Sequence, residues 1–304
     1  MFEVFYLTRR NCRIYLRDRA AVFFSMLSAL IVLALMVIFL GKMNSEDLVA
    51  ALAQYGGERD QLADEKNAAY LIQLCSLAGI LLVNSVTVTL TVMGAMVQDE
   101  TRKRIMAFYV TPIKRIKLSL GYIFSACLVG VGMCILTLAV GEVYFLTQGY
   151  QLLAAEQLLK LGGMIVLNAF VFSAMGYLLA LFVHSDSAWS GILTIIGTLV
   201  GFAGGIYLPM SSLSDGVQTV LKCLPVLHGA SMMRSVCMRV AIAEVFADVP
   251  EAVEMAFRER MGITLFWGES EIHCQEQVMF LLFYAIIAIV VSAMVNKNRK
   301  LKDR

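Results

Sequence analysis

The sequence predicts an all-α integral membrane protein of six transmembrane helices, and three observations carry that prediction. First, 59% of its 304 residues are hydrophobic and 16% charged, with a mean hydropathy of +0.75; a soluble domain has about 45–50% apolar and about 25% charged residues. Second, six apolar stretches reach the roughly 18 residues that a bilayer crossing needs: 20–40, 69–97, 118–146, 161–183, 188–208 and 278–295. Third, the segments between them alternate in charge. Net charge, +2, says little, because in a membrane protein the location of charge matters more than its sum.

Residues 1–19 place Phe2, Phe5, Tyr6, Arg9, Arg10, Arg13 and Arg17 at near-helical spacing. Aromatic anchors mixed with cations suit an interfacial helix in the headgroup plane. The apolar run that follows is too long for the h-region of a cleavable signal and lacks a small-residue cleavage site, so it is expected to stay as a span. Charge by segment then orients the chain. Residues 1–19 hold five Lys/Arg against two acids, 98–117 six against two, and 296–304 five against one. On the other side, 41–68 hold three against six and 209–277 five against nine. By the positive-inside rule both termini are cytoplasmic.

The segment QDETRKRIMAFYVTPIKRIK, residues 98–117, is therefore a short cytoplasmic hinge between the second and third spans. A soluble partner can push on a membrane domain at such a hinge. Arg102, Lys103, Arg104, Lys114 and Arg115 would serve as topological charges alone, but a topogenic loop needs neither Phe108 and Tyr109 nor the Thr111-Pro112 break.

Within the spans, Asn84, Thr87 and Thr91 run down one face of the second at i, i+3, i+7, with Ser85 and Thr89 beside them; the fifth offers Ser190, Thr194 and Thr198. Hydroxyl stripes most often bond neighbouring helices, and lining a pathway is their other use. Gly197, Gly201 and Gly205 form a GxxxGxxxG run that lets another helix approach closely. Glu142 lies within the third span, four residues before its end, and is a candidate for outer gating or substrate contact. Asp186, in the turn 184–187, is expected to cap the fifth helix.

From Gly201 to Met238 the chain is too apolar for a free loop and too broken by Pro209 and Pro225 for a spanning helix. Non-helical backbone at membrane depth survives only where protein or a cavity satisfies its polar groups, which predicts a partly re-entrant segment on the outer face. Residues 242–261 follow as an amphipathic helix or helix pair, interrupted near Pro250.

No G-x-x-x-x-G-K-[ST] motif occurs; Gly41-Lys42 lacks the preceding glycine and the following hydroxyl. His184, His228 and His273 have no metal-ligand spacing, and the seven cysteines form no C-x-x-C pair. Cys223, Cys237 and Cys274 fall outside the membrane, where a disulfide is allowed.

Two stretches carry a family resemblance: the hinge with Glu100, Thr111 and Pro112, and the outer segment with Gly205, Leu208, Pro209, Leu213, Pro225 and Arg234. In order and sidedness they resemble the signatures of the membrane permease subunit of type-2 ABC exporters, and the six-span plan matches over nearly the whole chain. The resemblance implies a single transmembrane domain over 1–304: interfacial helix 1–19, spans one to five in 20–208, the outer re-entrant and amphipathic region 209–277, and the last span with its tail in 278–304. It implies a permease that pairs with a second permease, identical or paralogous, and with two cytoplasmic ATPase subunits. The hinge becomes a coupling helix, with Glu100, Arg102, Arg104, Phe108, Tyr109, Thr111 and Pro112 as its docking surface and the interfacial helix close by. The path between permeases would be lined largely by the second and fifth spans, which favours Asn84, Thr87, Thr91, Thr194 and Thr198. ATP and magnesium are expected on the partner, with no cofactor in this chain.

The expected substrate is amphipathic or lipophilic: a drug, an antimicrobial peptide or a lipid-linked molecule, with a polysaccharide or teichoic-acid precursor as the alternative. A secondary transporter or channel normally carries inverted repeats and charged midplane residues, and neither is visible. A lipid-modifying membrane enzyme needs a convergent acid, base or metal set, which is likewise not evident.

Overall fold

The computed structural model describes residues 2–35, 41–55, 60–106, 113–205, 210–268 and 270–298. The chain opens with α1 (Phe2–Arg17). Its buried residues Leu7, Thr8, Asn11 and Tyr15 recur at helical spacing, while Arg9, Arg13 and Arg17, four apart, share the opposite, exposed face with Phe5 and Tyr6. Asp18 then breaks the helix and caps α2 (Arg19–Leu35), its Oδ1 accepting from the Ala21 amide at 3.0 Å. Residues 36–40, the end of the first predicted span, lie outside the described residues.

The segment 41–68, expected as an outer loop, is largely helical. It forms α3 (Gly41–Tyr55) and then the first turns of α4 (Gln61–Thr101), capped by Asp60, whose side chain accepts from the Leu62 amide. At 41 residues, α4 is about 61 Å long against a hydrocarbon core of about 30 Å, so it stands well clear of the bilayer. It is also the hub of the fold: 78% of its apolar window is buried, against 22% for α7 and α12.

Around α4 pack α5 (Arg115–Thr147), α6 (Ala155–Ala180) and α7 (Asp186–Ala203). Glycine lets α5 come close: a Cβ on Gly130 would sit 2.6 Å from Cγ2 of Thr89 in α4. Gly130→Val should therefore destabilise the bundle by about 1–3 kcal/mol, read as a lower melting temperature in detergent. The glycine run on α7 plays no such part at Gly197, where a Cβ would have 3.9 Å to its nearest neighbour within the chain.

Beyond α7, residues 206–209, which include Leu208 and Pro209, lie outside the described residues. A 3-10 turn (Met210–Ser212) leads to α8 (Asp215–Lys222) and α9 (Pro225–Cys237). Helix α8 buries no residue, whereas α9 packs against α4, α6 and α12. A Cβ on Gly229 of α9 would fall 2.8 Å from Leu82 Cδ1, about midway along α4, and closer still to Asn168 of α6. The expected amphipathic pair follows as α10 (Arg239–Val245) and α11 (Glu251–Arg260), with Pro250 immediately before the second. A two-residue hairpin, β1 (Phe266–Trp267) with β2 (Ser270–Glu271), was not foreseen; Leu265 beside it packs with Met210 and Leu227. Helix α12 (Cys274–Asn298) closes the bundle. Among the described residues, five helices are long and apolar enough to cross a membrane: α4, α5, α6, α7 and α12.

Candidate functional site

The described parts of the three basic segments, 2–17, 98–106 with 113–117, and 296–298, meet at one end of the bundle. There α4 ends with the Arg102 amide donating to the Gln98 carbonyl, and Lys103 takes a left-handed φ of 55° that turns the chain. A residue with a Cβ at such a helix end costs roughly 1–2 kcal/mol, so packing must hold the turn. Ile105, 4% exposed, supplies it by inserting beside Met96, Leu118 and Tyr122. Glu100 is half-buried, and Arg102 and Arg104 are exposed. Phe108, Tyr109, Thr111 and Pro112 lie outside the described residues.

Asp99, just before Glu100, is 2% exposed and stands at the centre of a polar cluster. It accepts from both guanidinium nitrogens of Arg10 on α1, at 2.6 and 2.9 Å, and from the Tyr122 hydroxyl of α5 at 2.7 Å. The bidentate bond to this carboxylate raises the Arg10 pKa above its ordinary value. Arg10 also donates to Asn11 Oδ1 at 3.0 Å. Helix α1 is further held by the Glu3–Lys117 ion pair at 2.5 Å and by Leu7, whose Cβ lies 2.6 Å from where a Cβ on Gly121 would be. Helix α1, the end of α4 and the start of α5 thus form one block.

Helices α6 and α12 are tied in at this end as well. Arg115 donates to the Asn296 carbonyl of α12 at 2.7 Å, and the Asn296 amide donates to Tyr177 at 2.9 Å and to Ser119 at 3.3 Å. Ser119 and Tyr177 share a 2.6 Å bond. At the turn into α7, Thr101 Oγ1 donates to the His184 carbonyl at 3.5 Å. Here the cap is Ser185 and not Asp186: Ser185 Oγ accepts from the Ala188 amide, because Ser185 has the extended backbone of a cap and Asp186 is already helical.

The pathway candidates separate into three surroundings. Asn84, buried, donates to Thr137 of α5 at 2.7 Å. Thr87 and Thr91 are half-buried and bond carbonyls one turn back, those of Val83 and Thr87. Thr194 and Thr198 do the same on α7 but are exposed, with Ser190 one turn before them. Glu142 sits at the opposite end, where its Oε2 accepts from the Leu153 amide at 3.3 Å.

That opposite end is organised by Arg234, 1% exposed. Its guanidinium donates to the carbonyls of Gly204 and Gly205, just past α7, and of Met261, just past α11, at 2.5, 2.9 and 3.0 Å. Gln157 adds a second tie, its amide donating to the Val236 and Cys237 carbonyls at the end of α9. All seven cysteines are free thiols, so the disulfide that compartment allowed is not formed. Among the described residues no three His, Cys, Asp or Glu side chains are grouped to hold a metal.

The sequence alone does not single out Asp99, Ile105 or Tyr122, and it groups Arg10 with the headgroup-facing cations of the first helix. A signal existed for Arg10: it falls off the i, i+4 stripe of Arg9, Arg13 and Arg17 and onto the face of Leu7 and Asn11. Comparison with protein families matches residues 58–295 to a model described as ABC-2 family transporter protein. No curated protein matches the chain significantly.

Proposed function

This chain belongs to the ABC-2 family of transporter proteins and is an ABC permease, and we propose that it moves an amphipathic or lipophilic substrate outward between two permease copies, driven by separate ATPase subunits. The observation that carries the coupling half of this reading is the block at the basic end. A push on the hinge after Thr101 reaches α1, α4 and α5 together, because the Arg10–Asp99–Tyr122 cluster joins all three. The basic end is then cytoplasmic, both termini lie on that side of the plasma membrane, and ATP with its magnesium binds on the partner.

The exposed face of α7 supports the pathway half. Along α12 the exposed side chains are lipid-like, among them Phe283, Ile286, Val290 and Met294. On α7, by contrast, Ser190, Thr194 and Thr198 interrupt Ile195 and Leu199. A mixed face suits a second permease and a passing amphiphile better than lipid alone. Asn84, committed to Thr137, lies behind that face as packing, and Glu142 belongs to its outer exit.

Glu100→Arg, or deletion of residues 108–112, is expected to abolish co-purification with the partner ATPase and substrate-stimulated ATP hydrolysis while membrane insertion stays normal. Unchanged association and unchanged stimulation would remove the docking claim.

A further inference from the structure

The turn between α8 and α9 lies at the depth of lipid. The Tyr284 hydroxyl of α12 donates to the Cys223 carbonyl at 2.7 Å. His228, 3% exposed, donates from Nε2 to the Lys222 carbonyl at 2.8 Å, and its ring lies 4.3 Å from that of Phe280. Measured along α12 from Cys274, Phe280 and Tyr284 put the turn about 9–15 Å inside that end, within the apolar run 278–295. Protein thus satisfies the carbonyls of the turn, as backbone at that depth requires. Among the described residues the half-buried Lys222 ammonium has no such partner, neither hydrogen bond nor ion pair. The one acid of α8, Asp215, stands at the other end of the helix, about 10 Å away. The attraction of a helix C-terminus for a cation is smaller than the cost of an ammonium at lipid depth. Helix α8 is also two-faced and buries neither face: Asp215, Thr219 and Lys222 run down one side at i, i+4, i+7, while the exposed Val217 and Val220 share the other.

We propose that Lys222 receives the acidic group of the transported molecule, so that the substrate is an anionic amphiphile: its phosphate or carboxylate pairs with the ammonium, and its hydrocarbon crosses onto Val217 and Val220. An ionisable side chain at membrane depth settles in water or against an opposite charge. The polar side of α8, with Asp215 and Thr219 exposed above Lys222, gives water and a solute a way down to it from the outer end. The apolar side gives a hydrocarbon chain a surface that a free anion would leave bare. A cationic or neutral amphiphile, in turn, would leave the ammonium unpaired. Transport of this molecule rests on the reading given above; its binding at Lys222 does not.

The test reads Cys223, the exposed thiol next to Lys222, against Cys274, the exposed thiol at the start of α12. The full-length chain in phosphatidylcholine nanodiscs is treated with an anionic (ethylsulfonate) or a cationic (ethyltrimethylammonium) methanethiosulfonate. Modification of each cysteine is followed by peptide mass spectrometry, every rate being normalised to that of a free thiol. Cys223 should react about fivefold faster with the anionic reagent than with the cationic one, the preference expected of one nearby cation in water. Lys222→Gln should remove this preference, Lys222→Arg should keep it, and Cys274 should be indifferent to both. Dodecyl phosphate should slow the labelling of Cys223 in the wild type and not in Lys222→Gln, whereas dodecyl maltoside and inorganic phosphate at the same concentration should not slow it. The proposal is overturned if Cys223 reacts with neither reagent, if Lys222→Gln leaves the preference as it was, or if dodecyl maltoside or inorganic phosphate protects as well as dodecyl phosphate. No arm uses ATP or a partner subunit, so failure here leaves the export reading intact, and failure of Glu100→Arg to change association leaves this binding site intact.

Discussion

Arg10→Met should destabilise the protein by about 3–5 kcal/mol, because it leaves the Asp99 carboxylate buried with one hydroxyl donor where it had a bidentate cation. Removing one member of a buried pair is far costlier than never having the pair. The companion variant Arg10→Met/Asp99→Leu should accordingly recover most of the lost stability, and Arg10→Lys should keep part of it, since an ammonium cannot replace the two-pronged guanidinium. Melting temperature in detergent reads all three. Arg9→Met, on the exposed face of the same helix, is the control; a loss there equal to that of Arg10→Met would mean that general basicity of α1, and not the bond to Asp99, matters. If the block also transmits force, the double variant should be stable yet show a lower substrate-stimulated ATPase rate with its partner. Stability and coupling are thereby separated.

Arg234→Met should be still more damaging. One guanidinium satisfies three carbonyls, at Gly204, Gly205 and Met261, in a site shut off from water. An unsatisfied buried polar group costs about 1–3 kcal/mol, so losing all three donors puts the penalty at roughly 3–9 kcal/mol, comparable to the whole stability of a domain. The expected result is a protein that fails to accumulate in the membrane, or one whose segment 210–273 becomes sensitive to protease added from that side. Arg234→Lys should be intermediate, because a single ammonium cannot span carbonyls contributed by two separate helix ends. An Arg234→Met variant that accumulates and resists protease like wild type would show that the segment 210–273 is held by its apolar contacts alone.

Much of the architecture was legible because a bilayer imposes a one-dimensional rule. Apolar length marks each crossing and charge marks each side, and α5, α6, α7 and α12 fall close to the predicted runs. The same rule misled at α4, whose first turns, Gln61–Lys66, are polar and helical. Hydropathy reports where a helix is in lipid; it does not report where the helix stops. At the hinge, charge singled out Glu100, Arg102 and Arg104, whereas the side chains buried there are those of Asp99 and Ile105. Nothing local marks an acid that will meet a guanidinium 89 residues away.

Taken alone, the order of residues determined the membrane class, the places of the apolar runs, the charge of the segments between them and the amphipathic pattern of the first helix, because each depends on composition within a short window. Which polar groups are spent inside the chain and which are left for lipid or a partner was decided only by packing: Asn84 turned to Thr137, Arg10 to Asp99 and Arg234 to three carbonyls, while Thr194 and Thr198 remained on the surface. The reason is that a buried polar atom must find a partner wherever the fold brings one within about 3 Å, and that meeting is a property of three-dimensional proximity, which sequence distance does not encode.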